Sequence, residues 1–310
     1  MIRLECISLA NGQAIKIPEA TIVCLGNFDG VHIGHRALLQ RANKMRSSDP
    51  MLSHASLAVF CFREHPAEFL GNPRTRLGSA EQKKHAFAEE GMDCLILAEF
   101  SDLKDLSPKD FVKDILCARC NCVAAVCGFN YRFGHRGSGT AAELKRLLPA
   151  PVAIVEEITE NGKTVSSSLI RSLLAQGDVQ TAARLLRHPY SFVSRVLHGK
   201  QLGRTLGFPT INQSFPHGLQ VPLYGVYVTE CTTDGACYRG VSNVGVRPTV
   251  DQNDTVNCET YLLDFSGDLY GKEVTVAFLE FLRPEQKFAS VDALREQIEK
   301  DIIRARKYQA

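Results

Sequence analysis

Thr21-Ile22-Val23-Cys24-Leu25-Gly26-Asn27-Phe28-Asp29-Gly30-Val31-His32-Ile33-Gly34-His35 is the stretch on which the reading of the chain turns. Its first five residues are a short apolar run of the kind that forms a strand buried on both faces, and the glycine-rich segment behind them opens a helix. Leu57–Phe62, Cys94–Leu97, Val123–Val126 and Val152–Val155 repeat the strand pattern. Helical segments alternate with them. Ser79-Ala80-Glu81-Gln82 is a capping box ahead of a helix ending near Gly91, and Ser107-Pro108 supplies an N-cap and a first-turn proline before Phe111–Leu116. The alternation predicts an α/β domain over residues 1–186, with a doubly wound parallel sheet.

After Arg187-His188-Pro189 the pattern changes to short strands and glycine or proline turns: Phe192–Leu197, Tyr224–Cys231, Cys237–Val244, Asn257–Phe265 and Glu273–Phe281. Residues 187–310 are therefore predicted as an antiparallel β-barrel or sandwich. A terminal helix follows, with Val291, Leu294, Ile298 and Ile302 on one apolar stripe.

Composition narrows the function classes. At about 150 residues per domain, 310 residues suggest two domains. A formal charge of +2 is too balanced for a chain that neutralises a nucleic-acid backbone, so no nucleic-acid partner is expected. The eleven cysteines are odd in number and scattered, which fits a reducing cytosol and a cytoplasmic protein better than a disulfide scaffold. No apolar run reaches about 18 residues, and the start has neither a basic region nor a long apolar core, so neither membrane span nor signal peptide is expected. Cys117, Cys120, Cys122 and Cys127 lack a second Cys-x-x-Cys and read as packing residues. Gly137-x-Gly139-x-x-Ala142 does not directly follow a strand and is discounted as a dinucleotide fingerprint.

Three segments carry chemistry. In Gly26–His35, Gly26, Asn27, Phe28, Asp29 and Gly34 surround a helix start whose unpaired N–H groups attract anions. His32 and His35 can hydrogen-bond triphosphate oxygens there and stabilise charge as an α-phosphorus is attacked. Capping histidines or a zinc pair are the alternatives, although zinc would want a third ligand. In Val165-Ser166-Ser167-Ser168-Leu169-Ile170-Arg171, the hydroxyls of Ser167 and Ser168 and the guanidinium of Arg171 could grip a leaving pyrophosphate, or the serines could be plain N-caps. In His198–Asn212, Gly199, Lys200, Gly203, Arg204, Gly207 and Pro209 make a turn-rich segment that reads either as a phosphate cradle or as an ordinary glycine-rich turn. Thr210 and Asn212 at its end could reach Mg²⁺ through a hydroxyl and an amide oxygen. It is not a Walker A loop.

With these motifs in hand, the whole chain resembles the bacterial bifunctional riboflavin kinase/FAD synthetase family. The first half is similar to its FMN adenylyltransferase module, a Rossmann-like nucleotidylyltransferase. The resemblance implies that His32 and His35 hold ATP phosphates, that Ser167, Ser168 and Arg171 assist at the triphosphate, and that Asn27 and Asp29 sit at the same mouth. Gly128-Phe129-Asn130-Tyr131-Arg132-Phe133-Gly134 and the stretch from Phe62 to Pro66 resemble flavin-side motifs, which implies flavin contacts from Asn130, Phe133 and His65. In the second half, Gly207-Phe208-Pro209-Thr210-Ile211-Asn212 resembles the riboflavin kinase signature, and Leu282–Phe288 continues the match, with Arg283 as a further implied flavin contact. Glu259 fits the position of the family's catalytic base; by its residues alone it could equally be an exposed strand glutamate.

The resemblance thus implies riboflavin, FMN, FAD and ATP as ligands, Mg²⁺ as cofactor, and two successive transfers: riboflavin to FMN, then FMN to FAD with release of pyrophosphate. Glu64, Thr140, Ser168, Ile211 and Tyr261 depart from the family's usual proline, Asp, Thr, alanine and His. A chain with one live module, or a flavin binder without turnover, are the competing readings.

Overall fold

A computed structural model describes residues 5–9, 16–64, 66–69, 71, 74–199, 203, 206–247 and 255–309. Chain packing divides it into two compact units, Met1–Arg74 with Ala80–Ser166, and Thr75–Ser79 with Ser167–Ala310.

The first unit is built on a six-stranded parallel sheet of β1 (Glu5–Leu9), β2 (Thr21–Leu25), β3 (Ser56–Phe62), β4 (Cys94–Ala98), β5 (Cys122–Gly128) and, beyond two short strands, β8 (Val152–Val155). Those short strands, β6 (Arg132–Phe133) and β7 (Gly139–Thr140), pair with each other, as do two further short strands after β8, β9 (Thr159–Glu160) and β10 (Lys163–Thr164). The order in the large sheet is β1-β4-β3-β2-β5-β8. Alternate residues bury themselves on opposite faces: Val23, Leu25, Phe60 and Ile96 in one cluster, Ile22, Cys24, Val59 and Leu95 in the other. A sheet covered on both sides needs uninterrupted apolar strands, which is why these runs stood out in the sequence.

From β2 the chain winds one way through β3 and β4, then crosses to pair β5 with the other side of β2. The reversal places a crevice at the carboxyl ends of β2 and β5, where doubly wound sheets take their ligands. The strand β1 was not anticipated. It pairs with β4 at the sheet edge, and a five-residue segment opening on a glutamate lacks the bounded apolar run that marked the interior strands.

The second unit holds a six-stranded antiparallel sheet of β11 (Tyr190–Arg195), β12 (Thr210–Ser214), β13 (Gly225–Thr233), β14 (Ala236–Arg247), β15 (Thr255–Leu262) and β16 (Glu273–Arg283), in the order β11-β16-β13-β14-β15-β12. It curls so far that Leu197, just after β11, bridges to Asn212 on β12, with Leu197 N–H donating to the Asn212 carbonyl at 2.8 Å. Aromatic rings fill the inside, with Phe192 and Phe215 at 4.3 Å and Tyr227 edge-on to Phe278 at 5.1 Å. A buried hydroxyl ladder, Thr229 to Ser242 to Thr260 with both contacts at 2.7 Å, satisfies the polar groups among them.

Helices Ser167–Ala175 and Val179–Leu186 belong to this unit, Leu223 N–H donating to the Leu174 carbonyl at 2.9 Å. The terminal helix, Val291–Lys307, is capped by Ser290, whose Oγ accepts from Ala293 N–H at 3.1 Å. The apolar stripe expected on it needs one correction. Leu294, Ile298 and Ile302 are half-buried, but Val291 is 63% exposed, because it stands in the first turn, and burial centres further on at Asp301 and Ala305.

Candidate functional site

Between β2 and the first helix, α1 (Ile33–Ser48), the backbone is forced into unusual geometry. Phe28 (φ 50) and Val31 (φ 40) join Gly30 (φ 81) in the left-handed region. Non-glycine residues there cost on the order of 1–3 kcal/mol each, and such strain persists where the surroundings over-determine it, as at ligand sites. Phe28 supplies the anchor. Its ring is fully buried, edge-on to Phe87 at 5.5 Å and 5.1 Å from His35, so only its backbone faces the turn's chemistry. Gly26 has to be small, since a Cβ would stand 3.1 Å from that ring.

His32 is the N-cap of α1, its Nδ1 accepting from the His35 N–H at 3.3 Å. One nitrogen therefore caps the helix. Because that nitrogen accepts, the ring proton sits on Nε2, which remains a donor. The His35 ring stacks on His32 with centroids 3.7 Å apart, an approach that Gly34 permits: a Cβ there would stand 3.2 Å from the His32 ring. Burial pushes His32 down to about 4 and His35 well below its ordinary value, with His32 and Lys83 adding to the latter. Both imidazoles are neutral at pH 7 and offer N–H donors rather than charge. His35 Nδ1 is buried and has no partner among the described residues. Positive charge comes from Lys83, whose Nζ donates to the Asn27 carbonyl at 3.2 Å, while Asp29 is buried in the same turn.

These histidines fix a pH dependence of stability. The folded pKa of His32 lies below its unfolded value of about 6.5, so between roughly pH 6.5 and 4 the unfolded chain binds a proton that the native state refuses. Stability is expected to be level above pH 6.5 and to fall by on the order of 3 kcal/mol toward pH 4 from His32 alone, with His35 acting in the same direction. Urea unfolding at pH 7, 5.5 and 4.5 checks this; His32→Asn, which keeps a capping side chain, should flatten the slope.

Beyond β5, the Tyr131 N–H donates to the Gly128 carbonyl at 3.0 Å and leaves Asn130 exposed beside Phe129. Phe133 is buried against Phe111 at 5.5 Å and Tyr131 at 5.8 Å, over a Gly139 whose Cβ would meet the ring at 2.7 Å. Thr140 caps the helix Ala141–Leu147, its Oγ1 accepting from Glu143 N–H at 3.1 Å. Asp and Thr both cap well, so threonine keeps the structural role at this position. Glu64 is exposed; His65 lies outside the described residues. Cys120, Cys122 and Cys127 are buried in the core, where burial pushes their thiols up, Cys122 to about 12 and Cys127 to about 11.

In the second unit, Ser167 and Ser168 open a helix, and Arg171 one turn along donates from Nε to the Thr75 carbonyl at 2.6 Å. The segment predicted as a turn-rich cradle changes character at Thr210, and here the reading needs correcting: Thr210–Ser214 is strand β12, paired with β15. Its polarity hid it. Gln213 is fully buried, and its Nε2 donates to the carbonyls of Ser194 at 2.7 Å and Val274 at 2.9 Å, so a polar side chain enters the sheet with its N–H donors paired, while its Oε1 has no partner among the described residues. Lys200 and Arg204 lie outside the described residues. Gly203 takes a hydrogen bond at its carbonyl from Phe208 N–H at 2.8 Å, and a Cβ on it would collide with the Phe208 carbonyl and stand 3.2 Å from Thr210 Oγ1. Gly199 sits directly against the Asn212 amide; Gly207 has φ +87, and Pro209 is exposed.

Register brings the distant glutamate to this strand. Asn212 pairs with Glu259 and Thr210 with Tyr261, so these four side chains share one sheet face. Asn257, two positions before Glu259, shares it too; its Nδ2 donates to Asn212 Oδ1 at 3.2 Å and to Glu259 Oε1 at 3.4 Å. Sequence reading overlooked Asn257, although the two-residue period of a strand placed it on the glutamate's face. Asn243 on β14 pairs with Glu259 from the other side and donates from Nδ2 to Glu285 Oε1 at 3.0 Å.

Arg283 is held elsewhere. Its guanidinium forks onto Asp301 of the terminal helix, Nε and Nη2 donating to Oδ2 at 3.0 and 2.8 Å, and Gln297 adds a bond at 3.0 Å. Asp301 is 5% exposed, so removing it strands a cation in a mostly buried site. Asp301→Ala is expected to cost about 3 kcal/mol, read as a lower urea midpoint.

Comparison with known proteins follows the same division. A family model described as FAD synthetase matches residues 14–169, and one described as riboflavin kinase matches residues 186–309. The bifunctional riboflavin kinase/FMN adenylyltransferase of Bacillus subtilis is 35% identical over 95% of this chain and 94% of its own. The enzymes of that description from Pseudomonas fluorescens and Escherichia coli are 38% and 34% identical, over 92% and 94% of this chain and 92% and 93% of theirs. A crystal structure from Streptococcus pneumoniae, described as a macrolide-efflux protein, has a TM-score of 0.91 at 30% identity and covers 99% of this chain and 100% of that one. Among the described residues of this chain no helix is long and apolar enough to cross a membrane. By its two matched modules and by relatives alike along nearly their whole length, the chain belongs to the bifunctional riboflavin kinase/FMN adenylyltransferase family.

Proposed function

We infer that this chain phosphorylates riboflavin with ATP to give FMN and ADP, and adenylylates FMN with a second ATP to give FAD and pyrophosphate. The observation that carries the kinase half is the sheet face shared by Thr210, Asn212, Asn257 and Glu259 beside tightly turned glycines. A primary alcohol is a poor nucleophile. Glu259 accepts the proton of the riboflavin 5′-hydroxyl as that oxygen attacks the γ-phosphorus, and the glycine turns let backbone N–H groups approach the phosphates, with Lys200 and Arg204 as their cations.

For Mg²⁺ the test is the chemistry of the donors. Thr210 Oγ1 and Asn212 Oδ1 are hard oxygens, and Asn212 Oδ1 accepts one hydrogen bond, which leaves it a second lone pair. They fit, and are assigned to hold the ion; when bound, it neutralises phosphate charge.

For the adenylyltransferase half, FMN phosphate attacks the α-phosphorus and pyrophosphate leaves. His32 donates from Nε2 to the charge that develops, His35 stands behind it, and Gly26, Asn27, Asp29 and Gly34 shape the mouth. Ser167, Ser168 and Arg171 are assigned to the triphosphate, and His65, Asn130, Phe133 and Arg283 to flavin, by family likeness. That likeness also supports the division into modules 1–186 and 187–310, and the buried, protonated thiols suit a cytoplasmic setting.

The test is to incubate the purified protein with riboflavin, ATP and Mg²⁺ and to resolve flavins by chromatography over time. FMN should appear first and FAD after it, chelation with EDTA should stop both, and added Mg²⁺ should restore them. Riboflavin left unchanged would refute the kinase assignment; FMN accumulating without FAD would refute the other.

A further inference from the structure

The kinase face contains one polar group that the chemistry above does not use. Asn257 is 9% exposed on β15, where register sets it opposite Ser214 on β12 and Gly245 on β14. Gly245 offers no side chain, and the Glu285 carboxylate that lies against it is taken up by Asn243 Nδ2 at 3.0 Å. The planar –NH₂ of Asn257 is thus left to its own side of the face. It reaches both Asn212 Oδ1 at 3.2 Å and Glu259 Oε1 at 3.4 Å. Asn212 is itself fixed from behind, with Gly199 pressed against its amide and its carbonyl accepting from Leu197 N–H at 2.8 Å. Glu259, by contrast, is exposed, and a glutamate side chain held in one rotamer gives up on the order of 1.5–2 kcal/mol of conformational freedom.

We propose that Asn257 is a positioning residue for phosphoryl transfer: one amide group, with a proton for each acceptor, ties the Glu259 carboxylate to the Asn212 amide oxygen. This rests on the kinase reading above. If Glu259 swings away, the nearly buried Asn257 N–H gives up a hydrogen bond to a charged acceptor, and such a bond is worth about 1.5–3 kcal/mol. The carboxylate therefore stays at a fixed distance from the strand that carries Thr210 and Asn212, which is what a base needs when nucleophile and phosphoryl group must be brought together within a few tenths of an ångström. Asn257 acts through its bonds to Asn212 and Glu259, so its effect falls on turnover more than on substrate binding.

The surroundings make a pH readout clean. Among the described residues, the titratable groups around Glu259 are Tyr261 on the same face of β15, the buried Cys258 thiol next to it, which burial keeps protonated, and Glu285, whose carboxylate lies against Gly245 and is held by Asn243; β12 contributes only the neutral Thr210, Asn212 and Ser214. Replacing the Asn257 amide by a carboxylate turns a donor into a like charge beside Glu259, which raises the proton affinity of that base.

Steady-state riboflavin phosphorylation and FMN adenylylation are measured on the full chain for Asn257→Ala, Asn257→Asp and Glu259→Gln. Asn257→Ala should lower the kinase kcat about tenfold with little change in KM for riboflavin, and leave adenylylation intact. Asn257→Asp should lower kcat as well and move the acid limb of its pH profile up by about one unit. If both variants lose the two activities in parallel, or keep the parental kinase kcat and pH limb per folded molecule, Asn257 is merely structural and the proposal is overturned. If Glu259→Gln still makes FMN at the parental rate, the kinase reading itself has failed; if that variant is dead while the Asn257→Asp limb stays in place, only the positioning role has.

Discussion

Glu259→Gln is expected to reduce FMN formation from riboflavin by on the order of 10²–10³, equivalent to about 3–4 kcal/mol of lost transition-state stabilisation, while added FMN is still converted to FAD. The amide keeps the shape of the side chain and an oxygen that can accept from Asn257 Nδ2, but it cannot take the proton of the attacking hydroxyl. Because Glu259 is exposed, little stability should be lost, within about 0.5 kcal/mol for a surface position. Near-parental kcat for riboflavin in the folded variant would remove Glu259 from the role of base and leave the Asn212–Asn257–Glu259 cluster without a catalytic explanation.

His32→Asn has the reverse expectation: adenylylation of FMN falls by on the order of 10²–10³ and phosphorylation of riboflavin persists. Alanine would be the poorer probe, since it also deletes the N-cap of α1 at a cost of about 1 kcal/mol. Asparagine still caps, so the missing group is the Nε2–H donor. Steady-state assays of both reactions on one preparation make the comparison internal. Retention of FAD synthesis by this variant would reduce His32 to the capping role seen in its bond to His35 N–H.

Several elements were legible because burial on two faces leaves a strong mark. The strands β2 to β5 and β8 are short apolar runs, and both of their faces are covered, as the alternating clusters around Val23 and Ile22 demonstrate. The strand β12 was not legible, since its central residue is the polar Gln213, buried with its Nε2 donating to two backbone carbonyls, and no apolar run marks the strand. The edge strand β1 escaped for want of any bounded apolar run.

At the sites, glycine spacing and histidine pairing marked the turn after β2, but not that His32 would cap α1 with one nitrogen and keep the other as donor. Thr210, Asn212 and Glu259 were singled out from segments nearly fifty residues apart, and antiparallel register, which no local pattern encodes, is what sets Asn212 opposite Glu259. Asn257 was missed for that reason: its importance is visible only once β12 lies beside β15.

The central claim is that two separate sites in one chain perform successive transfers, and mixing the two variants tests it most directly. Glu259→Gln and His32→Asn proteins are each supplied with riboflavin, ATP and Mg²⁺, alone and in equal mixture, and FAD is followed by chromatography. Either protein alone should make FAD only at a trace rate, the first held up at riboflavin and the second at FMN, whereas the mixture should make it at a readily measured rate because FMN released by one is consumed by the other. FAD from either variant alone as fast as from the mixture, or none from a mixture in which FMN accumulates, would contradict the claim.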